Sequence, residues 1–338
     1  MKRRLLFSVL FVAAVWVLVA RRGEVGLILA ALAAGDFSWI VLAGVLQLAF
    51  YLCYTGIYWT SFHAVGLTTP FWPLAPVMLG SLAINVTVPG AGPALFIDHA
   101  ARHGESATRA AAGAVLVRVT DFGTFALILA VAMVHLARQG VLEPHQIAGA
   151  VGLAALVGGW SLVLILGLLS PRLLRRLLRF ARRVVNRLCR LVRRPPAIDA
   201  DWPERATHEY VDAAGTIMEH PRRLWVVLLV CLLTHAVDLV SLRAVCAAFH
   251  EPVSLATLVA AFSMAMLFWI VAVTPQGIGV VEGTIALVLA SLGVEFARAT
   301  AIALAFRGLT FWLPLGLGFL CLPRLVKPAR GGGPAPAA

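Results

Sequence analysis

Ionisable side chains are scarce in the long apolar runs of this 338-residue chain, so each one found there is a place where binding or chemistry could reside. Arg118 and Asp121 stand three residues apart in one such run, on one face of a helix and spaced to pair with each other. Arg307 lies in another run with no acid within four residues, and Glu282 is its nearest plausible partner. His235, Asp238 and Arg243 share a third run, the first two on one helical face. Asp98, His99, Arg102 and His103 cluster after a Pro/Gly-rich break. An arginine suits a phosphate because its planar fork donates several hydrogen bonds at fixed geometry and stays charged in a low dielectric. Two such arginines could hold an anionic headgroup from either side, or the arginines and acids could simply neutralise one another and fix helix packing. His235 with Asp238 has the chemistry for a proton shuttle that would couple transport to a proton gradient. There is no HExxH, GxSxG or P-loop lysine, and the His99/His103 pair has no third ligand nearby, so no catalytic role, cofactor or metal is expected.

The elements that must position these groups are membrane helices. Sixty-one per cent of residues are hydrophobic and 13% charged, with a mean hydropathy of +0.91, which excludes an ordinary soluble domain. A net charge of +12 would suit nucleic acid, but the arginines cluster beside apolar runs, so the charge reads as membrane topology and no nucleic-acid partner is expected. Cys53, Cys189, Cys231, Cys246 and Cys321 show neither CxxC spacing nor metal-ligand partners. Six spans are long enough to cross a bilayer: 5–21, 37–61, 107–137, 146–169, 223–249 and 297–322. The first follows Lys2-Arg3-Arg4 like a secretory signal, but no cleavage pattern precedes Arg21-Arg22, and it is expected to remain uncleaved.

Two further apolar stretches, 71–88 and 254–274, stop at Pro89-Gly-Ala-Gly92 and Pro275-Gln-Gly-Ile-Gly279 and resume as second legs, 93–103 and 280–293, too short to cross. They read as re-entrant hairpins, 71–103 and 254–293, whose breaks must be buried in protein or line a wet cavity. Basic loops place both termini and the central loop in the cytoplasm only if both hairpins return to the side they entered. The halves 37–137 and 223–322 then share one order with inverted sense. Arg118 and Thr120 follow Gly92 by 26 and 28 residues, and Arg307 and Thr310 follow Gly279 by 28 and 31. The expected architecture is an all-α polytopic membrane protein with about six transmembrane helices and two re-entrant hairpins in an inverted repeat, the build of many secondary transporters.

Between the halves, the cytoplasmic segment 171–222 opens with an amphipathic stretch, 171–194, that holds ten arginines and no acid. Such a helix should lie on the cytoplasmic leaflet with its arginines on anionic lipid. An acidic connector, 197–221, follows as a solvated segment able to fold against it, and the tail 328–338 is expected to be disordered.

The residues NVTVPGAG at 85–92, VLVRVTDFG at 115–123, TPQGIGVVEG at 274–283 and Arg307, in that order, resemble the flippase-like membrane domain shared by lysylphosphatidylglycerol synthetase/flippase proteins and their stand-alone relatives. The resemblance covers nearly the whole chain. It implies a translocator in a bacterial cytoplasmic (inner) membrane for a phospholipid, aminoacyl-phospholipid or polyprenyl-linked lipid, with paired re-entrant hairpins. It implies Arg118 and Asp121 as an Arg-Asp motif, Glu282 as the acid after the second break, and Arg307 as its paired arginine. Asn85, Pro89, Gly92, Pro275, Gly277 and Gly279 complete the substrate-binding set. The chain departs from the family at Pro93 and Ala94, where a glutamate often follows the first break, leaving Asp98 or Glu105 as the nearest acids. No acyltransferase domain follows residue 322, so aminoacyl-lipid synthesis does not carry over. The alternatives are a membrane lipid phosphatase or transferase, disfavoured because PGAGPALFID lacks the Ser and Arg of a PGxSRS loop, and a non-transporting anchor for a separate synthase. A homodimer or a partner synthase is the association expected besides the lipid.

Overall fold

The computed structural model describes residues 22–326 apart from 89, 141, 143, 192–194, 196–198 and 273–274; these residues form helices, and no strand occurs among them. The expected span 5–21, Pro89 and the tail 328–338 lie outside the described residues. The first described helix, α1 (Arg22–Ala34), falls where the sequence reading ended a span at the arginine pair and assigned nothing further. It packs on the last span, where Gly308 leaves room for Ile28 and Leu32.

Among the described residues, five helical stretches are long and apolar enough to cross a membrane. They are α2 (Phe37–Ala64), α5 (Ala107–Arg138), α6 (Pro144–Leu169), α9 (Pro221–Ala248), and a composite of α12 (Phe296–Arg307), a π-helical turn (Gly308–Trp312) and α13 (Leu313–Val326). Their starts follow from local chemistry. Asp36 accepts the backbone N–H of Ser38 at 2.9 Å to open α2, and Ser106 accepts that of Arg109 at 3.1 Å to open α5. Pro144 and Pro221 occupy first helical positions, where the missing N–H costs nothing. Leu127, Val131, Leu162, Leu229 and Leu320 stand exposed on the outside of these helices, an apolar surface suited to lipid. Over the apolar window of α6, only 6% of residues are buried, so α6 lies at the periphery.

The two interrupted stretches form helix pairs. The first is α3 (Phe71–Thr87) followed by α4 (Gly92–Arg102); the second is α10 (Leu255–Val271), a 3₁₀ turn (Pro275–Gly277) and α11 (Val280–Ser291). Within each pair the two legs pack on one another, and each second leg packs on the span that follows it, α4 on α5 and α11 on α12. Each first leg reaches across to the other half: α3 packs on α13, and α10 on α5. The helices that open the two halves, α2 and α9, make the most extensive contact in the molecule. Exchanging the halves therefore leaves this packing pattern unchanged. Small residues allow the close crossings: Ala43 takes the Ser241 hydroxyl on its carbonyl at 3.3 Å, and Gly318 admits the backbone carbonyl of Leu79.

The basic stretch forms α7 (Pro171–Leu191), and the connector is largely helical rather than a solvated link. Helix α8 (Trp202–Glu219) buries Ala206, Tyr210, Ala213 and Ala214, and it packs on α5, α6 and α7. Its acids border that buried face and tie the helix to its neighbours: Glu209 accepts the Ser106 hydroxyl of the α5 cap at 2.5 Å. Arg179 donates to Glu204 at 2.6 Å across the α7–α8 contact, and that hydrogen bond holds the Glu204 carboxyl below its usual range.

Candidate functional site

The two breaks are built differently. In the second, Gln276, Gly277 and Gly279 all have left-handed backbones, with φ of 55°, 67° and 82°, which turns the chain between α10 and α11. Glu282, in the first turn of α11, reaches back so that its Oε2 accepts the Gly279 N–H at 2.7 Å. Its Oε1 accepts Arg307 Nε at 2.9 Å, while Arg307 Nη2 donates to the Gln276 carbonyl at 3.0 Å. One guanidinium thus joins the break, the helix after it and the last span, and it is buried, with 6% of its surface exposed. The partner expected for Arg307 is the one it has.

In the first break, a neutral amide does the equivalent work. Asn85 Oδ1 accepts the Gly92 N–H at 2.7 Å, and a Cβ at Gly92 would meet the Asn85 amide at 2.5 Å, so that position excludes a larger residue. Leu95 stands three residues after Gly92, where Glu282 stands three after Gly279, so no carboxylate is placed to reproduce the second break.

The pairing of Arg118 with Asp121 that their spacing suggested is not present: no carboxylate among the described residues lies within 4.0 Å of the Arg118 guanidinium. The physical reason is that each side chain has turned to another element. Arg118 lies over the Phe122 ring one helical turn on, 5.5 Å from its centroid, with Tyr54 and Tyr58 of α2 as its polar surroundings. Asp121, 1% exposed, accepts the Tyr54 hydroxyl at 3.0 Å through Oδ2, and its Oδ1 lies 3.4 Å from His235 Nε2 of α9. Arg307 repeats the ring contact of Arg118, lying 4.7 Å from the Phe311 centroid.

Arg118, Asp121, His235, Asp238, Arg307 and Asn85 line one cavity of about 160 Å³ between the two halves. Gln276, Val281 and Pro93 bring both breaks to its wall, and Tyr51, Tyr54, Tyr58 and Trp269 supply an aromatic lining. Glu282 stands behind Arg307. Asp238 accepts Gln47 Nε2 at 2.8 Å, and Tyr51 donates to the Thr310 carbonyl of the π turn at 2.5 Å. Three buried polar atoms of lining residues, Gln47 Oε1, Asp121 Oδ1 and Thr310 Oγ1, have no hydrogen-bond partner among the described residues. Orphan groups at such depth suit a cavity that receives water or a polar ligand.

A family model for the lysylphosphatidylglycerol synthase TM region matches residues 5–318. The chain belongs to this family. It is a multi-pass membrane protein, and the family's extent covers both helix pairs and every cavity residue named above. No match to a curated protein is found.

Not every flagged residue joins this site. Arg243 donates to the Val253 carbonyl at 2.6 Å and holds a loop. The His99 and His103 rings lie tilted with centroids 4.2 Å apart, Arg102 is paired with Asp98, and no metal-type cluster occurs among the described residues. Conversely, Gln47, Tyr54 and Gln276 were not anticipated. The tyrosines carry a signal, since 51, 54 and 58 fall on one helical face of α2.

Proposed function

We propose that the protein translocates a membrane lipid with a phosphate-bearing headgroup, which binds between Arg118 and Arg307 in the cavity at the junction of the halves. The observation that carries this reading is that two arginines from equivalent places in the two halves line one cavity, and one of them has no carboxylate partner. A phosphate would supply the anion that Arg118 lacks, accepting its forked N–H groups while the glycerol and acyl stem run along the aromatic lining. The orphan polar atoms would bond the remainder of the headgroup.

In this reading α3–α4 and α10–α11 are re-entrant hairpins, and the exchange-symmetric packing is that of an inverted repeat, which can open the cavity to one side and then the other. The reading takes the protein to sit in a bacterial inner membrane, and the arginine distribution favours both termini and α7 on the cytoplasmic side. Helix α7 would then lie in the leaflet surface. Its exposed Leu173, Leu177, Phe180 and Val184 fall on one face, fit for insertion among acyl chains, and its arginines would meet anionic headgroups. The reading assigns the protein no bond-breaking step.

The test is translocation of labelled phosphatidylglycerol in proteoliposomes of the pure protein. Arg118→Ala is expected to cut the rate by about tenfold or more, the scale of one lost charge-assisted contact, while leaving thermal stability near wild type because no ion pair is broken. Unchanged translocation in both Arg118→Ala and Arg307→Ala would overturn the proposal.

A further inference from the structure

The cavity holds a second set of groups that anion binding does not use. His235 is 3% exposed, and its Nε2 lies 3.3 Å from the Asp121 backbone carbonyl and 3.4 Å from Asp121 Oδ1. The pair bridges the halves, His235 from α9 and Asp121 from α5. Asp238, one turn after His235, opens onto the same cavity.

The charged and titratable surroundings are few. Helix α2 presents Tyr51, Tyr54 and Tyr58; α5 presents Arg118; α9 presents Cys231 and Asp238; the Arg307–Glu282 pair comes from α11 and α12. Helices α3 and α10 contain no titratable residue. With the imidazole neutral and all three carboxylates (Asp121, Asp238, Glu282) ionised, the two arginines leave an excess of one negative charge, and protonating His235 brings the set to neutrality. A phosphate monoanion arriving at Arg118 adds a negative charge one helical turn from Asp121, where low dielectric leaves the repulsion poorly screened.

We infer that the His235–Asp121 pair is a proton-binding site coupled to the cavity's anion, so that a headgroup entering the cavity brings a proton with it. The inference rests on the headgroup reading given above. The proton comes from the aqueous phase and turns the imidazole into an imidazolium facing the Asp121 carboxylate; no bond of the lipid breaks, and the proton returns to water when the headgroup leaves. By linkage, the anion raises the proton affinity of the pair, and protonation raises the affinity for the anion by the same factor. Lipid movement would then draw on, or dissipate, a proton gradient.

The experiment measures binding of phosphatidylglycerol to the full chain in detergent by calorimetry, in buffers of differing ionisation enthalpy at about pH 6.5, the ordinary imidazole range. Uptake of up to about one proton per bound lipid is expected. His235→Gln and Asp121→Asn should each lower protons taken up per lipid bound, a ratio independent of how much affinity either variant loses. Binding with no buffer dependence in the wild type overturns the inference and leaves the headgroup reading standing. Uptake undiminished in both variants overturns the assignment to this pair. Absence of phosphatidylglycerol binding overturns both readings together.

Discussion

Removing the carboxylate of Glu282 strikes the most connected group in the second break. Glu282→Ala leaves the Arg307 guanidinium with only the Gln276 carbonyl and leaves the Gly279 N–H without its acceptor. Arg307 is buried and Glu282 half-buried, with 7% and 15% of their side-chain surfaces exposed. Breaking a buried pair by deleting one partner costs about 3–5 kcal/mol, because an uncompensated charge stays behind. At roughly 2–4 °C per kcal/mol for a chain of this class, the midpoint of thermal unfolding in detergent should fall by about 6–20 °C. Glu282→Gln keeps the shape and one acceptor oxygen but not the charge, and should fall between alanine and wild type. Replacing both partners, Glu282→Leu with Arg307→Met, should recover stability relative to Glu282→Ala, since an apolar pair leaves no buried charge. A midpoint for Glu282→Ala within about 2 °C of wild type would refute the view that this pair holds the break closed.

Two further outcomes follow from packing and charge. Gly318→Leu should destabilise the protein by several kcal/mol, because its side chain would be driven into the Leu79 carbonyl of α3; a measured unfolding midpoint like that of wild type would mean that α3 and α13 do not cross there. In nanodiscs containing anionic lipid, hydrogen exchange along α7 should be slower than in zwitterionic nanodiscs. Changing the exposed Arg176, Arg183 and Arg187 to Gln should remove most of that difference, at about 1 kcal/mol per arginine; equal exchange in both lipids would count against surface docking.

Much of the fold was legible because lipid imposes a simple rule: about 20 apolar residues mark a span, and a Pro/Gly break inside an apolar stretch marks a helix pair. Residues 37–61 and 223–249 foretold α2 and α9 to within a few positions. What periodicity could not supply was which side chain meets which across elements. The 118/121 spacing permits an ion pair, but Phe122 and Tyr54 compete for the two partners, and only the packing of α2 on α5 decides it. A usable signal did lie in the sequence: Arg118-x₃-Phe122 recurs as Arg307-x₃-Phe311, a ring one turn after each arginine in both halves. The acids of the connector made its fold against the basic helix legible, but not the alanines and Tyr210 that form its buried contact, because the charges mark another face.

The lack of a glutamate after the first break is the informative difference between the two helix pairs. Had a glutamate followed the first break, Arg118 could have been held as Arg307 is, with two closed breaks and a carboxylate on each arginine. With Asn85 closing the first break through a neutral amide, the halves are alike in packing and unlike in charge. Under the transport reading, the two end states then cannot be equivalent. Under that reading Glu282 would release and recapture Arg307 as the second break opens and closes, whereas Arg118, with no carboxylate of the described residues within 4.0 Å, would stay open to a headgroup. Affinity for the anion would therefore be set by the first half and its release by the second.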